Sequence, residues 1–225
     1  MSKKRSRWYA RLGWGVMMVF SSMVALYTLS YLVLGEQVYV EVLVESFLAR
    51  PWGIYTHAFF AMIALALGPF QFRGLMIEHR PPIHRTLGKI YVVGALMTGL
   101  SGLYMAGYAY GGWISQLGFG TMAVALLVTT SMAYLKIRAR HIVEHRAWMI
   151  RSFSVLFAAV TLRLWLPVLT ALYQGDFTPA YQWVAWVAWV PNLIGADWYV
   201  RRLARRSGTA AVEQPFQHST AAATP

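Results

Sequence analysis

The chain has 225 residues, 58% of them hydrophobic and only 12% charged, against about a quarter charged in an ordinary soluble domain. Its net charge of +12 sits on Lys and Arg that cap apolar runs rather than interleaving with aromatics on one face. That pattern is a topology signal, not a nucleic-acid surface. With no cysteine, disulfides, thiol catalysis and thiolate metal sites are excluded.

The N-terminal tail holds Lys3, Lys4, Arg5, Arg7 and Arg11, and a first span is expected over 14–34. The run is too long for the apolar core of a signal peptide and ends in no small-x-small site, so we expect it to be retained. Segment 36–50, with acids at Glu36, Glu41 and Glu45, reads as one short amphipathic helix at the outer interface. The second span, 52–72, carries His57 near its start and ends in LGPFQF at 67–72, where Gln71 offers an amide at the inner end. The inner loop 73–89 brings Arg73, Arg80, Arg85 and Lys89, with Pro81 and Pro82 stiffening it.

The third span, 89–110, places Gly94, Thr98, Gly102 and Ala106 at spacing four, a stripe suited to close helix packing. Gly111 and Gly112 predict a tight outer turn before the fourth span, 113–135. The next basic segment, 136–151, contains Lys136, Arg138, Arg140, Arg146 and Arg151. Spans five (149–172) and six (180–200) contain Pro167 and Pro191, each expected to kink its helix. Trp183, Trp186 and Trp189 in span six read as an interfacial belt or a packed seam. After Arg201, Arg202, Arg205 and Arg206, residues 207–225 lack periodicity and read as a disordered tail.

Runs of this length cross a bilayer only as helices, and basic segments stay on the cytoplasmic side. The expected fold is therefore all-α: a six-helix transmembrane domain over 1–206, both termini cytoplasmic, multi-pass in a bacterial inner membrane.

In lipid the polar residues are the informative ones. His79, His84, His141 and His145 belong to the two inner loops or the helix ends beside them. His141 and His145 are four apart and would share a helical face. His84 and His145, at the starts of two spans, could hold a haem iron axially, with Arg151 near the propionates. Alternatively, all four histidines could hold a metal ion that accepts imidazole. A third reading is headgroup anchoring and loop hydrogen bonding. On the outer side, His57 and Arg163 are deep enough to line a cavity; Arg163 needs an anionic ligand group or helix carbonyls as partners. Asp197 is expected to pair with Arg151 or Arg146.

Several strings together resemble a bacterial family of predicted membrane proteins catalogued as domain of unknown function 2306. They are His57, LGPFQF at 67–72, His84-Arg85 with Leu87-Gly88 and Tyr91, His145-Arg146 with Trp148 to Ser152, Thr161-Leu162-Arg163, and Asn192-Leu193. The resemblance runs from about residue 50 to 200 and implies a membrane protein without an assigned activity. More weakly, the chain resembles haem-b membrane cytochromes. Two-haem members of that group place two imidazoles near each face, whereas here only His57 lies on the outer side, leaving Met105 or another group to complete such a site. One inner haem is what this resemblance implies.

Three functions follow as expectations. The first is membrane electron transfer through an inner b-type haem, with a redox partner. The second is transport of a small solute, ion or proton past His57 and Arg163. The third is a structural or regulatory protein that binds lipid or a partner through its basic loops. Whether any of them is enzymatic is not fixed by sequence, and no serine or acidic pair sits at motif spacing with the histidines.

Overall fold

The computed structural model describes residues 3–72 and 79–217. Arg73 of the inner loop, and residues 218–225 of the tail with His218, lie outside the described residues.

The described residues are helical, without strand. Helix α1 spans Lys3–Val33. Where one amphipathic helix is expected over 36–50, three short pieces occur instead: 3-10 turns at Gly35–Val38 and Glu41–Leu43, then α2, Val44–Leu48. The segment bends to bury Leu43 and Tyr39 rather than lying as a straight rod. Helix α3 spans Pro51–Leu67 and tightens into a 3-10 turn, Gly68–Phe72. Helix α4 spans Pro81–Ala106, α5 Trp113–Arg138, α6 Ile142–Leu156, α7 Ala158–Leu172, α8 Phe177–Val187 and α9 Val190–Gln217.

Among the described residues, five stretches are long and apolar enough to cross a membrane: Arg11–Val33, Pro51–Phe72, Pro81–Ala106, Trp113–Arg138 and Ile142–Leu172. The third begins well before the expected residue 89. Pro81 and Pro82 occupy the first helical positions instead of stiffening a loop, because a first turn needs no N–H donor and φ near −65° is already helical. The fifth joins α6 to α7 through a turn at Phe157, where Val160 N–H donates to the Phe157 carbonyl in 3-10 fashion. The break falls here and not at Pro167, through which α7 continues. The expected sixth span is split into α8 and α9 at Ala188–Trp189, so neither piece meets the length and apolarity of a span alone. Pro191 accounts for that break, having no N–H to give the Val187 carbonyl.

Helices α3, α4, α5 and α6 follow one another around the core: α3 packs on α4, α4 on α5 and α5 on α6. Helix α1 lies on α3, α8 on α5 and α7, and α9 on α6. Tyr91, Leu65, Val155 and Val160 are fully enclosed. The small-residue stripe does what spacing four suggests: a Cβ on Gly94 would lie 3.2 Å from that of Ala64 on α3. Gly111 and Gly112 turn with φ of +84° and +75°, as the outer turn requires. Large apolar side chains cover the outside, with Trp52 and Trp113 strongly exposed at the ends of α3 and α5 remote from the basic segments. That is the distribution of an interfacial aromatic belt around a lipid-facing surface.

Candidate functional site

The basic segments meet at one end of the bundle. Trp14 Nε1 donates to the Pro69 carbonyl at 2.9 Å, Lys136 pairs with Glu144 at 2.6 Å, and Arg151 pairs with Asp197 at 2.6 Å. The last is one of the two pairings expected of Asp197. Arg151 gives Nε and Nη2 to one carboxylate oxygen, Arg201 gives Nε to the other at 2.5 Å, and the Arg151 guanidinium lies 4.9 Å from the Trp148 ring centre. Arg151 thus ties α6 to α9.

Inside this end sit His84, His145 and Gln71. His84 occupies the first turn of α4, and His145 the first turn of α6. The two rings are near enough for the charge of one to act on the other. His145 Nδ1 lies 2.8 Å from the Ala133 carbonyl, which only accepts, so Nδ1 carries the proton and Nε2 keeps a lone pair. His84 Nδ1 is buried without a partner among the described residues, as is Gln71 Nε2. Gln71 is held at the end of α3 by the 3-10 turn, and its Oε1 would be 3.1 Å from a Cβ on Gly88. Glycine at 88 is what lets the amide lie against α4, one turn beyond His84. Buried polar groups are normally bonded, so an orphan ring nitrogen on His84 and an orphan amide nitrogen on Gln71 call for an explanation.

Two turns deeper, three hydroxyls join three helices. Tyr91 of α4 bonds Ser152 of α6 at 2.9 Å, and Ser152 bonds Thr130 of α5 at 2.7 Å. All three residues are fully buried. Phe72 and Phe153, with ring centres 5.5 Å apart, close the apolar side. The sequence reading missed this triad as a unit, since nothing in the spacing of residues 91, 130 and 152 links them.

The four inner histidines do not converge on one ion, and no group of three or more His, Asp or Glu side chains among the described residues is placed to hold one. The reason lies in what each ring meets. His79 is exposed, while His141 caps the start of α6 outside its helical face and meets Glu144 at 3.2 Å on the surface. Only His84 and His145 of the four point into the bundle together.

At the opposite end, His57 Nδ1 donates to the Thr98 carbonyl of α4 at 3.2 Å, and Gly102 leaves room for its ring. Met105 packs its sulfur over Gly53, one turn before His57. Arg163 of α7 donates Nη1 to the Ala159 carbonyl at 2.7 Å, one of the helix-carbonyl partners expected for it, and its guanidinium lies 5.0 Å from the Tyr27 ring centre of α1. His57 and Arg163 are close enough to interact electrostatically.

A sequence model of a family described as predicted membrane protein, DUF2306, matches residues 54–200. The chain belongs to this family. No curated protein matches it, and no solved structure matches it. The DUF2306 region runs from the first turn of α3 into α9, so it holds both histidine sites and the hydroxyl triad. Helix α1, which lays Tyr27 over Arg163, precedes it. One further feature inside the DUF2306 region escaped the sequence reading. Asn192 Nδ2 donates to the Ala188 carbonyl at 2.9 Å and Thr161 Oγ1 donates to the same oxygen at 2.5 Å, bridging the break between α8 and α9. A carbonyl freed inside a membrane needs such a partner.

Proposed function

We propose that this protein is a six-span bacterial inner-membrane protein, both termini cytoplasmic, that passes electrons through one b-type haem held by His84 and His145 at its cytoplasmic end. The sixth span in this reading is α8 and α9 together, bent at Pro191. The orientation follows from the basic segments at one end and the acids Glu36, Glu41, Glu45 and Asp176 at the other.

The observation that carries the reading is the imidazole pair from α4 and α6, in which His84 Nδ1 is buried without a partner among the described residues, together with the orphaned amide nitrogen of Gln71. A backbone carbonyl on Nδ1 is the usual outer partner of a ligating histidine, fixing ring orientation and leaving Nε2 to bind. His145 has that partner in Ala133. His84, entering the bundle after two prolines, sits on a helix start of fixed direction. The donor set is two imidazole nitrogens, which suits haem iron. Such a haem supplies a one-electron centre when bound. The chain's own contribution is to orient the two rings and to keep the apolar floor of Phe72 and Phe153 dry. Gln71 Nε2, on the 3-10 turn that ends α3, is a buried amide donor without a partner among the described residues. Arg151, engaged by Asp197, serves first to hold α9 against α6.

The test is the absorption spectrum of detergent-purified protein from haem-replete cells. A Soret band is expected, lost in His84→Ala and in His145→Ala and kept in His141→Ala. Colourless, folded wild-type protein would refute the reading.

A further inference from the structure

Arg163 presents a separate problem. It lies nine residues before the end of α7, about 14 Å along the helix from that end, where a guanidinium costs a few kcal/mol unless compensated. No carboxylate among the described residues compensates it. Asp197 serves Arg151 and Arg201, Glu144 serves Lys136 and His141, and Asp176 caps α8 through Thr178 N–H. The side chains of α1 beside it, Tyr31 and Tyr27, are phenols rather than acids and supply no counter-charge. Its one hydrogen bond among the described residues, Nη1 to the Ala159 carbonyl, uses one end of the guanidinium. Nε, at the other edge, is buried without a partner among the described residues.

The edge that remains, Nε with Nη2, is two parallel N–H donors, the arrangement that grips two oxygens of one anion. Charge narrows the choice. One guanidinium neutralises one negative charge, and a second charge on the anion would stay buried and unpaired. The ring of Tyr27 lies over the guanidinium, with Tyr31 beside it at 5.6 Å between ring centres. These rings supply an apolar wall for the body of an organic molecule. We propose that Arg163, walled by Tyr27 and Tyr31 of α1 and neighboured by His57, binds the carboxylate of an organic monocarboxylic acid in the half of the bundle away from the basic segments. The acid comes either from the aqueous side or from the bilayer, and the same carboxylate chemistry serves both. The site does not rest on the imidazole-pair reading.

The experiment uses the full chain in nanodiscs of zwitterionic lipid, with calorimetric titration and the thermal midpoint as readouts. The probes are benzoate, laurate, the neutral benzamide and inorganic phosphate. Binding of benzoate supports a water-borne acid; binding of laurate alone supports a membrane-borne one. Benzamide and phosphate are expected to leave the midpoint unmoved. Arg163→Gln abolishes carboxylate binding. Arg163→Lys keeps the charge, loses the fork and binds roughly tenfold to a hundredfold more weakly, the worth of one charge-assisted hydrogen bond. Should Arg163→Gln fail to fold, Arg163→Lys carries the test. Failure of both acids to bind, undiminished binding in either variant, or phosphate binding as tightly as the acids overturns the proposal. Carboxylate binding that persists in His84→Ala separates this site from the inner one.

Discussion

Ser152 is the hub of the buried hydroxyl triad, so Ser152→Ala is the most informative single change in the core. The serine bonds Tyr91 at 2.9 Å and Thr130 at 2.7 Å, with all three side chains enclosed. Its removal deletes two bonds and strands two partners. Inter-helix hydrogen bonds in membranes are worth about 0.6 kcal/mol on average and at most about 1.7. A stranded buried group adds about 1–3 kcal/mol. Ser152→Ala is therefore expected to destabilise the bundle by about 2–4 kcal/mol, counting both stranded hydroxyls at the lower end of that range. Tyr91→Phe alone removes one bond and leaves Ser152 still joined to Thr130, so a loss of about 0.5–1.5 kcal/mol is expected. The decisive quantity is the coupling. In Tyr91→Phe/Ser152→Ala the phenol is no longer stranded, so the double variant is less destabilised than the sum of the singles by about 1 kcal/mol or more. Reversible unfolding in mixed detergent micelles measures all three. Additive losses, or a Ser152→Ala loss below about 0.5 kcal/mol, would refute the triad as a connected unit.

Three further outcomes follow from other contacts. Gly118→Ala would set its Cβ 2.7 Å from that of Ala185 and 3.0 Å from the Ala185 carbonyl, so it should lower the thermal midpoint by forcing α5 from α8; Gly13→Ala, with nothing within 4 Å, should leave it unchanged or raise it slightly. Asn192→Ala removes the amide's bonds to the Ser154 carbonyl, to Thr161 Oγ1 and to the Ala188 carbonyl, leaving Ala188 with Thr161 alone, and a loss of about 1–3 kcal/mol is expected in the same micelle assay. For topology, a fluorescent reporter at the N-terminus should light up in the cytoplasm, and a periplasm-dependent phosphatase inserted at Gly175 should be active; the reverse pattern would invert the bundle.

Much of the architecture can be read from apolar runs alone, because lipid permits so few answers. Spans one, two and four emerge within a few residues, while the third starts eight residues earlier than its apolar run, at Pro81. The start of α6 is harder to see. Glu144, Arg146 and Arg151 make 142–151 look like loop, yet Glu144 turns to Lys136 and Arg151 to Asp197, so the helix accommodates them. Pro167 and Pro191 look alike in sequence. Only Pro191 coincides with a break, and there Asn192 and Thr161, 31 residues apart and bonded to each other, both donate to the Ala188 carbonyl. That His84 lies near His145 and His57 near Arg163 could be anticipated, because imidazole and guanidinium are costly in lipid and gather inside the bundle. The separation of His79 and His141 from the inner pair was not legible, since helical spacing cannot show that Glu144 draws His141 outward. The hydroxyl triad was hidden for the same reason: Ser, Thr and Tyr are unremarkable in sequence until three helices bring them together.

The most direct measurement is haem iron per chain in the purified protein, taken with the low-temperature electron paramagnetic resonance spectrum of the oxidised form. One low-spin iron with two imidazole ligands per chain is expected, retained in His57→Ala and lost in either His84→Ala or His145→Ala. Iron-free wild-type protein of native stability, or iron that survives both of the latter substitutions, would contradict the inward imidazole pair as the centre of this protein's chemistry.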